Sequence, residues 1–403
     1  MEQEEHELHS CLSCESKCTG VFGGYTHPAR RMKGLILVGG LGTQLRPLTL
    51  SKAKPLIEFG NQAAIQHALN MLKHTGVTEV VLAINYRPEI MAEFLEKNAD
   101  SGIKITLSQE REPLGTAGPL ALARDLLNDG EPFFVMNSDV ACEFNLRALL
   151  DFHNAHGKVG TIMVTPVDEP AKYGKSVVVP HETGLIDRFV EHGRTFAGNL
   201  INAGVYIFSP AIFDRIQLRT TSMEKEVLPS LAGEDQLYCM RLDGYWMNIK
   251  KPPDFLQGTS LYLDYLRKHR PQELAADLSA LSGGAAAAAG STLEGNVLLD
   301  PTAIVGKGCK LGPDVVLGPG CVVEDGVRLS RCILLEGVRV CPHAVVLDSI
   351  LGWRSTVGSW ARIEGVSVLG EDVHIDSELC INGALILPHK RIGTSVAEPQ
   401  IIM

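Results

Sequence analysis

The stretch "LVGGLGTQLRPLTLSKAKP", residues 37–55, holds the first residues whose types and spacing could do chemistry. Gly39, Gly40 and Gly42 let the backbone approach a ligand closely and turn its amides toward it, as a phosphate cradle requires. Arg46 and Lys54 add two cations nearby. A tight strand-to-helix turn accounts for the glycines equally well, but it has no use for two cations so close, which favours an anion. No Gly-Lys-Ser or Gly-Lys-Thr closes the loop, so it is not a Walker A sequence, and the third glycine of a dinucleotide fingerprint is absent. The second candidate is Asp139 in "MNSDV". It follows the apolar run "PFFVM" and so falls at the carboxyl edge of a sheet, where open α/β sheets bind ligands and a carboxylate can hold Mg²⁺ against phosphates. The same aspartate could instead cap the next turn.

The elements that must position these groups follow from periodicity. Lys33 to Val38, "EVVLAI" and "PFFVM" read as buried strands. Ile65, Ala68, Leu69 and Leu72 recur at the helical spacing. Ile103, Ile105 and Leu107 alternate as in a half-exposed strand, and "GTAGPLALARDLL" reads as one helix. Strand and helix alternate, which predicts an α/β domain with a mostly parallel sheet. After the helical "FLQGTSLYLDYLRKH", the low-complexity "SGGAAAAAGS" reads as a linker. The period then becomes six. Ala303, Cys309, Val315, Cys321 and Val327 form one column, and Val305, Leu311, Leu317, Val323 and Leu329 a second. Both columns predict a left-handed parallel β-helix, one face per hexad. The pattern resumes irregularly at Val338 and Val340, and again from Val373 to Leu387. The expected divisions are residues 1–31 as a disordered extension, 32–268, a linker over 269–292, and 293–403.

Several motifs in order carry a resemblance: "LVGGLGTQLRPLTLSKAKPL", "EPLGTAGPLALARDLL", "NSDV", "KYG", "INAGVYIFSP", "TSMEKEVLP" and the ending "EPQIIM". Together, over about Met32 to Met403, they resemble the sugar-1-phosphate nucleotidyltransferases, and among them the mannose-1-phosphate guanylyltransferases (GDP-mannose pyrophosphorylases) of the catalytic, beta type. The resemblance implies the reaction of GTP with mannose 1-phosphate to give GDP-mannose and pyrophosphate, with Mg²⁺ as cofactor. It implies that Leu37, Gly39, Gly40, Gly42 and Thr43 cradle the nucleotide, with Gly115 against the base. It gives Lys54, Arg46 and Asp139 the catalytic phosphate and metal contacts, and Gly174, Glu191 and Asn202 the sugar. Three positions depart from the family pattern. Gln44 stands for an arginine of the loop, His192 (followed by Gly193) for a lysine that meets the sugar phosphate, and Asn248 for the second metal-binding aspartate, which weakens that ligand.

All three changes remove charge where phosphate or metal binds, so two functions follow. One is a working guanylyltransferase. The other is a catalytically weakened paralogue that binds nucleotide sugar and regulates or scaffolds an active subunit. A hexapeptide acyltransferase would need a catalytic histidine in the coil, and His343 and His374 are the candidates.

Composition bounds the partners. The 403 residues exceed one ordinary core and carry a formal net charge of -10, which argues against nucleic acid as the main partner. No apolar run approaches the roughly 18 residues of a membrane helix. The acidic start has no apolar signal core, and the 10 cysteines form no small-domain framework, which together predict a reducing, cytoplasmic setting. Cys11, Cys14 and Cys18 near His6 and His9 match no common zinc spacing. The open end of a β-helix predicts a homo-oligomer, or a hetero-oligomer with a related subunit.

Overall fold

The computed structural model describes residues 32–403 apart from 41, 86–87, 144, 180–182, 192–197 and 279–287. The expectations for the N-terminal extension, its cysteine cluster and most of the alanine-rich segment lie outside those residues.

Period-two alternation builds two cores from the same strands. In the strand Met32–Leu37, Leu35 packs into one cluster and Ile36 into another. Phe133 and Val135 join Leu35, while their neighbours Phe134 and Met136 join Ile36. Val81 and Ala83 separate from Val80, Leu82 and Ile84 in the same way. The two clusters lie on opposite sides of one sheet, which explains why these strands read as continuous apolar runs. Helix Ala64–Thr75 buries Ile65, Ala68, Leu69 and Leu72, the four positions expected from their spacing.

Phe133–Asn137, Met32–Leu37, Val77–Ile84 and Lys104–Gln109 pair in parallel in that spatial order. Leu200–Phe208 joins Phe133–Asn137 antiparallel and continues to Lys175–Val178 and Arg188–Glu191. Gly160–Pro166 and Leu237–Arg241 extend the other branch. The segment expected as one helix forms two pieces, Gly118–Leu122 and Arg124–Leu127. They meet at Ala123, whose N–H donates to the Pro119 carbonyl at 3.0 Å and closes the first piece.

The C-terminal part is a three-faced parallel coil, the architecture of a left-handed β-helix. Its three sheets hold six, seven and six strands. Both predicted columns point inward, and each of their ten residues is at most 2% exposed. Thr292 pairs with Lys310 and Lys310 with Arg328, so these turns span three hexads. Arg328 then pairs with Val345 and Val345 with Arg362, one residue short per turn. That shortening is why the hexad pattern loses its phase after Leu329. Gly312 occupies a turn at φ 116°, and a side chain there would overlap the Glu294 carbonyl of the neighbouring turn. Helix Pro252–His269 covers one face of the coil. Phe255, Tyr262 and Leu266 pack with the outward-pointing Leu298, Val316, Ile333 and Trp353 in one core.

Candidate active site

The parallel strands end level, since Leu37 is in register with Ala83 and with Asn137, and Ile84 with Gln109. Their carboxyl ends therefore bring the glycine loop, Asn85, the Glu110–Gly115 turn and Asp139 to one edge. Asn85 accepts the Gly40 N–H at 3.3 Å and so shapes the glycine loop. Glu110 accepts the Leu114 N–H at 2.9 Å. Burial raises the Glu110 carboxyl from its ordinary value, and the Leu114 hydrogen bond partly offsets that. Gly115 is bridged to Thr221 at φ 75°, and a Cβ there would lie 2.5 Å from the Thr221 carbonyl oxygen, so the position admits only glycine.

Lys54 Nζ lies 3.0 Å from Asp139 Oδ2, with both side chains partly buried. Two distant segments of the chain thus meet in one ion pair. Just beyond Asp139, the strand Val140–Cys142 pairs antiparallel with Trp246–Asn248, setting Asn248 opposite Val140. Ile249 N–H donates to the Asp139 carbonyl at 2.8 Å, which fixes the ribbon against the aspartate. Asn248 Oδ1 is buried with no hydrogen-bond partner among the described residues. A buried oxygen left unpaired costs about 1–3 kcal/mol, and a hard cation is a fitting partner for it. Asp139 and Asn248 are the residues here that could hold a divalent cation, with ligand oxygens and water completing its shell.

Beyond them opens a cleft of about 530 Å³ lined by Asp139, Asn248, Gly174, Glu191 and Asn202 among others. Five residues named from sequence for metal and sugar therefore share one wall system. Asn202 is held on both sides: its Nδ2 donates to the Tyr206 hydroxyl at 2.8 Å and its Oδ1 accepts the Gly204 N–H at 3.0 Å. Burial pushes the Tyr206 phenol well up, so it stays protonated. Glu191 lies 3.5 Å from Lys175. A second, larger cleft of about 930 Å³ runs from Gly40 and Lys54 to Pro319 and Glu336 of the coil.

Not every expected residue converges. Arg46, Thr43 and Gln44 are exposed on the loop and line neither cleft, and Gly115 lines neither. His192 and Gly193 lie outside the described residues. His343 stacks on Trp360 and His374 pairs with Asp372 at 3.2 Å, both on the coil surface. Several cleft residues were not singled out from the sequence: Tyr173, Lys175, Lys225, Trp246 and Lys250. The signal for two of them was available, because Trp246 and Lys250 alternate with Asn248 along one strand direction.

A nucleotidyl transferase family model matches residues 33–264, and a GMPPB C-terminal domain model matches residues 293–402. "Probable mannose-1-phosphate guanylyltransferase 1" of Oryza sativa subsp. japonica is 55% identical over 92% of this chain and 100% of its own length. Mannose-1-phosphate guanylyltransferase 1 of Arabidopsis thaliana is 54% identical with the same coverage. Mannose-1-phosphate guanylyltransferase catalytic subunit beta of Dictyostelium discoideum is 53% identical, again over 92% and 100%. Among solved structures, HddC from Yersinia pseudotuberculosis aligns with 56% of this chain and 97% of its own at 25% identity and a TM-score of 0.48. The chain thus belongs to the nucleotidyl transferase family, within its group of mannose-1-phosphate guanylyltransferases.

Proposed function

We infer that this chain is a mannose-1-phosphate guanylyltransferase, joining GTP and mannose 1-phosphate into GDP-mannose with release of pyrophosphate. Residues 32–268 form its catalytic part and residues 293–403 its coil, a division that the two matched family models support. The single observation that carries the mechanism is the Lys54–Asp139 pair at 3.0 Å, whose aspartate lines the same cleft as Glu191 and Asn202. A phosphate oxygen of the sugar phosphate attacks the α-phosphorus. The new P–O bond forms as the bond to the bridging oxygen breaks, and its electron pair leaves with pyrophosphate. No covalent intermediate with the protein is needed, so the chain's part is alignment and charge neutralisation.

Gly39, Gly40 and Gly42 offer amides to the triphosphate, with Leu37, Thr43 and Arg46 beside them and Gly115 against the base. Lys54 exchanges its bond to Asp139 for one to phosphate as the nucleotide enters. Gly174, Glu191 and Asn202 hold the sugar hydroxyls. Mg²⁺ fits the Asp139 carboxylate and the unpaired Asn248 oxygen, and when bound it supplies positive charge to the phosphates. The neutral Asn248 makes that site weaker than one with two carboxylates.

The relatives at 53–55% identity are named as guanylyltransferases, and nothing among them supports the weakened-scaffold reading. Assembly into an oligomer is supported by exposed Ile401 on the last strand of the coil, which pairs on one side only, with Leu385–Ile386, and by exposed Met403 beside it. A relative named as a catalytic subunit is compatible with either a homo-oligomer or a related partner subunit. No helix among the described residues is long and apolar enough to cross a membrane. The described cysteines are free thiols, which fits a reducing, cytosolic compartment. Pyrophosphate release from purified protein given GTP, mannose 1-phosphate and Mg²⁺ tests the reading. Release that requires both substrates supports it, and none at any metal concentration overturns it.

A further inference from the structure

We propose that Lys250, seconded by Lys225, holds the phosphate of the sugar phosphate in this chain; the proposal rests on the guanylyltransferase reading of the cleft. Strand alternation carries it. Met247 and Ile249 are 5% and 6% exposed and belong to the core under helix Pro252–His269. Trp246, Asn248 and Lys250 therefore face the other way, and all three line the cleft. The bond from Ile249 N–H to the Asp139 carbonyl sets Lys250 one residue beyond the aspartate's level. Lys250 thus stands on the Asp139 side of the cleft, where the sugar phosphate must meet the nucleotide.

Charge pairing points the same way. Two other lysines at the site are already engaged: Lys54 with Asp139 at 3.0 Å, and Lys175 with Glu191 at 3.5 Å. Glu224 is engaged as well, accepting the Thr116 hydroxyl at 2.8 Å. Lys225, which follows Glu224 on a separate element, and Lys250 have no carboxylate partner among the described residues, yet both line the same concave wall. A surface lysine on a convex face needs no partner because water surrounds it. Two lysines that line one cleft without a carboxylate partner among the described residues offer positive charge to a dianion. The chain carries His192 where the family resemblance expects a lysine for this phosphate, and Lys250 and Lys225 supply the charge from other elements.

The test compares Lys250→Met, Lys225→Met and Lys250→Arg with the unaltered protein, using Lys268→Met as a control on an exposed helix position. Calorimetry measures mannose 1-phosphate binding directly, and steady-state assays measure KM for each substrate. Losing one charge-assisted contact to phosphate should weaken mannose 1-phosphate about 10- to 100-fold. KM for GTP should stay within about twofold, and Lys250→Arg should recover most of the loss. Unchanged affinity in both methionine variants overturns the proposal, as does an equal loss for GTP. If the unaltered protein binds mannose 1-phosphate through Lys250 but never releases pyrophosphate, the proposal stands and the enzymatic reading falls. If it binds no mannose 1-phosphate, both fall.

Discussion

Acid should weaken this fold through one closed ring of hydrogen bonds around His153, a residue 1% exposed. The partners assign its protons. Lys158 N–H donates to His156 Nδ1 at 3.0 Å, so the His156 proton lies on Nε2 and donates to Thr161 Oγ1 at 2.7 Å. The Thr161 hydroxyl then donates to His153 Nδ1 at 2.8 Å. His153 Nε2–H donates to Ser209 Oγ at 3.0 Å, and the Ser209 hydroxyl donates to the Lys158 carbonyl at 3.0 Å. The ring closes with both imidazoles neutral. A second proton on His156 would face the Lys158 N–H, and one on His153 would displace the Thr161 hydroxyl proton. Burial, with His156 as the smaller cause, lowers the His153 pKa from 6.5 to about 4.

The folded form stays neutral while the unfolded chain takes up a proton. Stability is therefore full above about pH 6.5 and is lost as pH falls toward about 4. The penalty from His153 alone is on the order of 3 kcal/mol, of which about 2 kcal/mol has been incurred by pH 5, and His156, whose pKa burial also lowers to about 4, adds to it. Urea unfolding followed by circular dichroism at pH 7, 6 and 5 measures it. His153→Gln should be less stable at pH 7, yet should lose about 2 kcal/mol less than the unaltered protein between pH 7 and pH 5. Parallel losses in the two proteins would refute the reasoning.

Other outcomes are expected from the site and the coil. Lys54→Met should lower kcat/KM by about 10²- to 10³-fold with little change in circular dichroism; a loss under fivefold would remove Lys54 from the phosphate contacts. Asn248→Asp should lower the Mg²⁺ concentration for half-maximal rate, roughly tenfold for each 1.4 kcal/mol gained by the added charge, as read from a metal titration. Gly312→Ala should destabilise the coil by on the order of 2 kcal/mol, since the substitution combines a positive φ with a backbone overlap. A melting curve that superimposes on that of the unaltered protein would contradict the packing described around Glu294.

The sequence made the inward columns of the coil legible because a six-residue period survives wherever corners keep their length. It hid the shortened turns after Leu329, since one missing residue shifts every later position to another face. It also hid the covered face of the coil. Val316 and Ile333 alternate with inward neighbours and look solvent-facing until helix Pro252–His269 is laid over them. At the site, Asp139 was legible from the strand that precedes it. Its pairing with Lys54 was not, because 85 residues separate them. Lys225 and Lys250 read as ordinary surface charge, and only the folded chain brings the helical segment Met223–Val227 and the end of the strand Trp246–Asn248 to one cleft.

The most direct measurement follows GTP and mannose 1-phosphate with Mg²⁺ by ³¹P NMR, using the unaltered protein and Asp139→Asn side by side. The account predicts that the two phosphate resonances of GDP-mannose and a pyrophosphate signal grow together with the unaltered protein. With Asp139→Asn they should grow at least about 10²-fold more slowly. No GDP-mannose from the unaltered protein, or equal rates from the two, would contradict it.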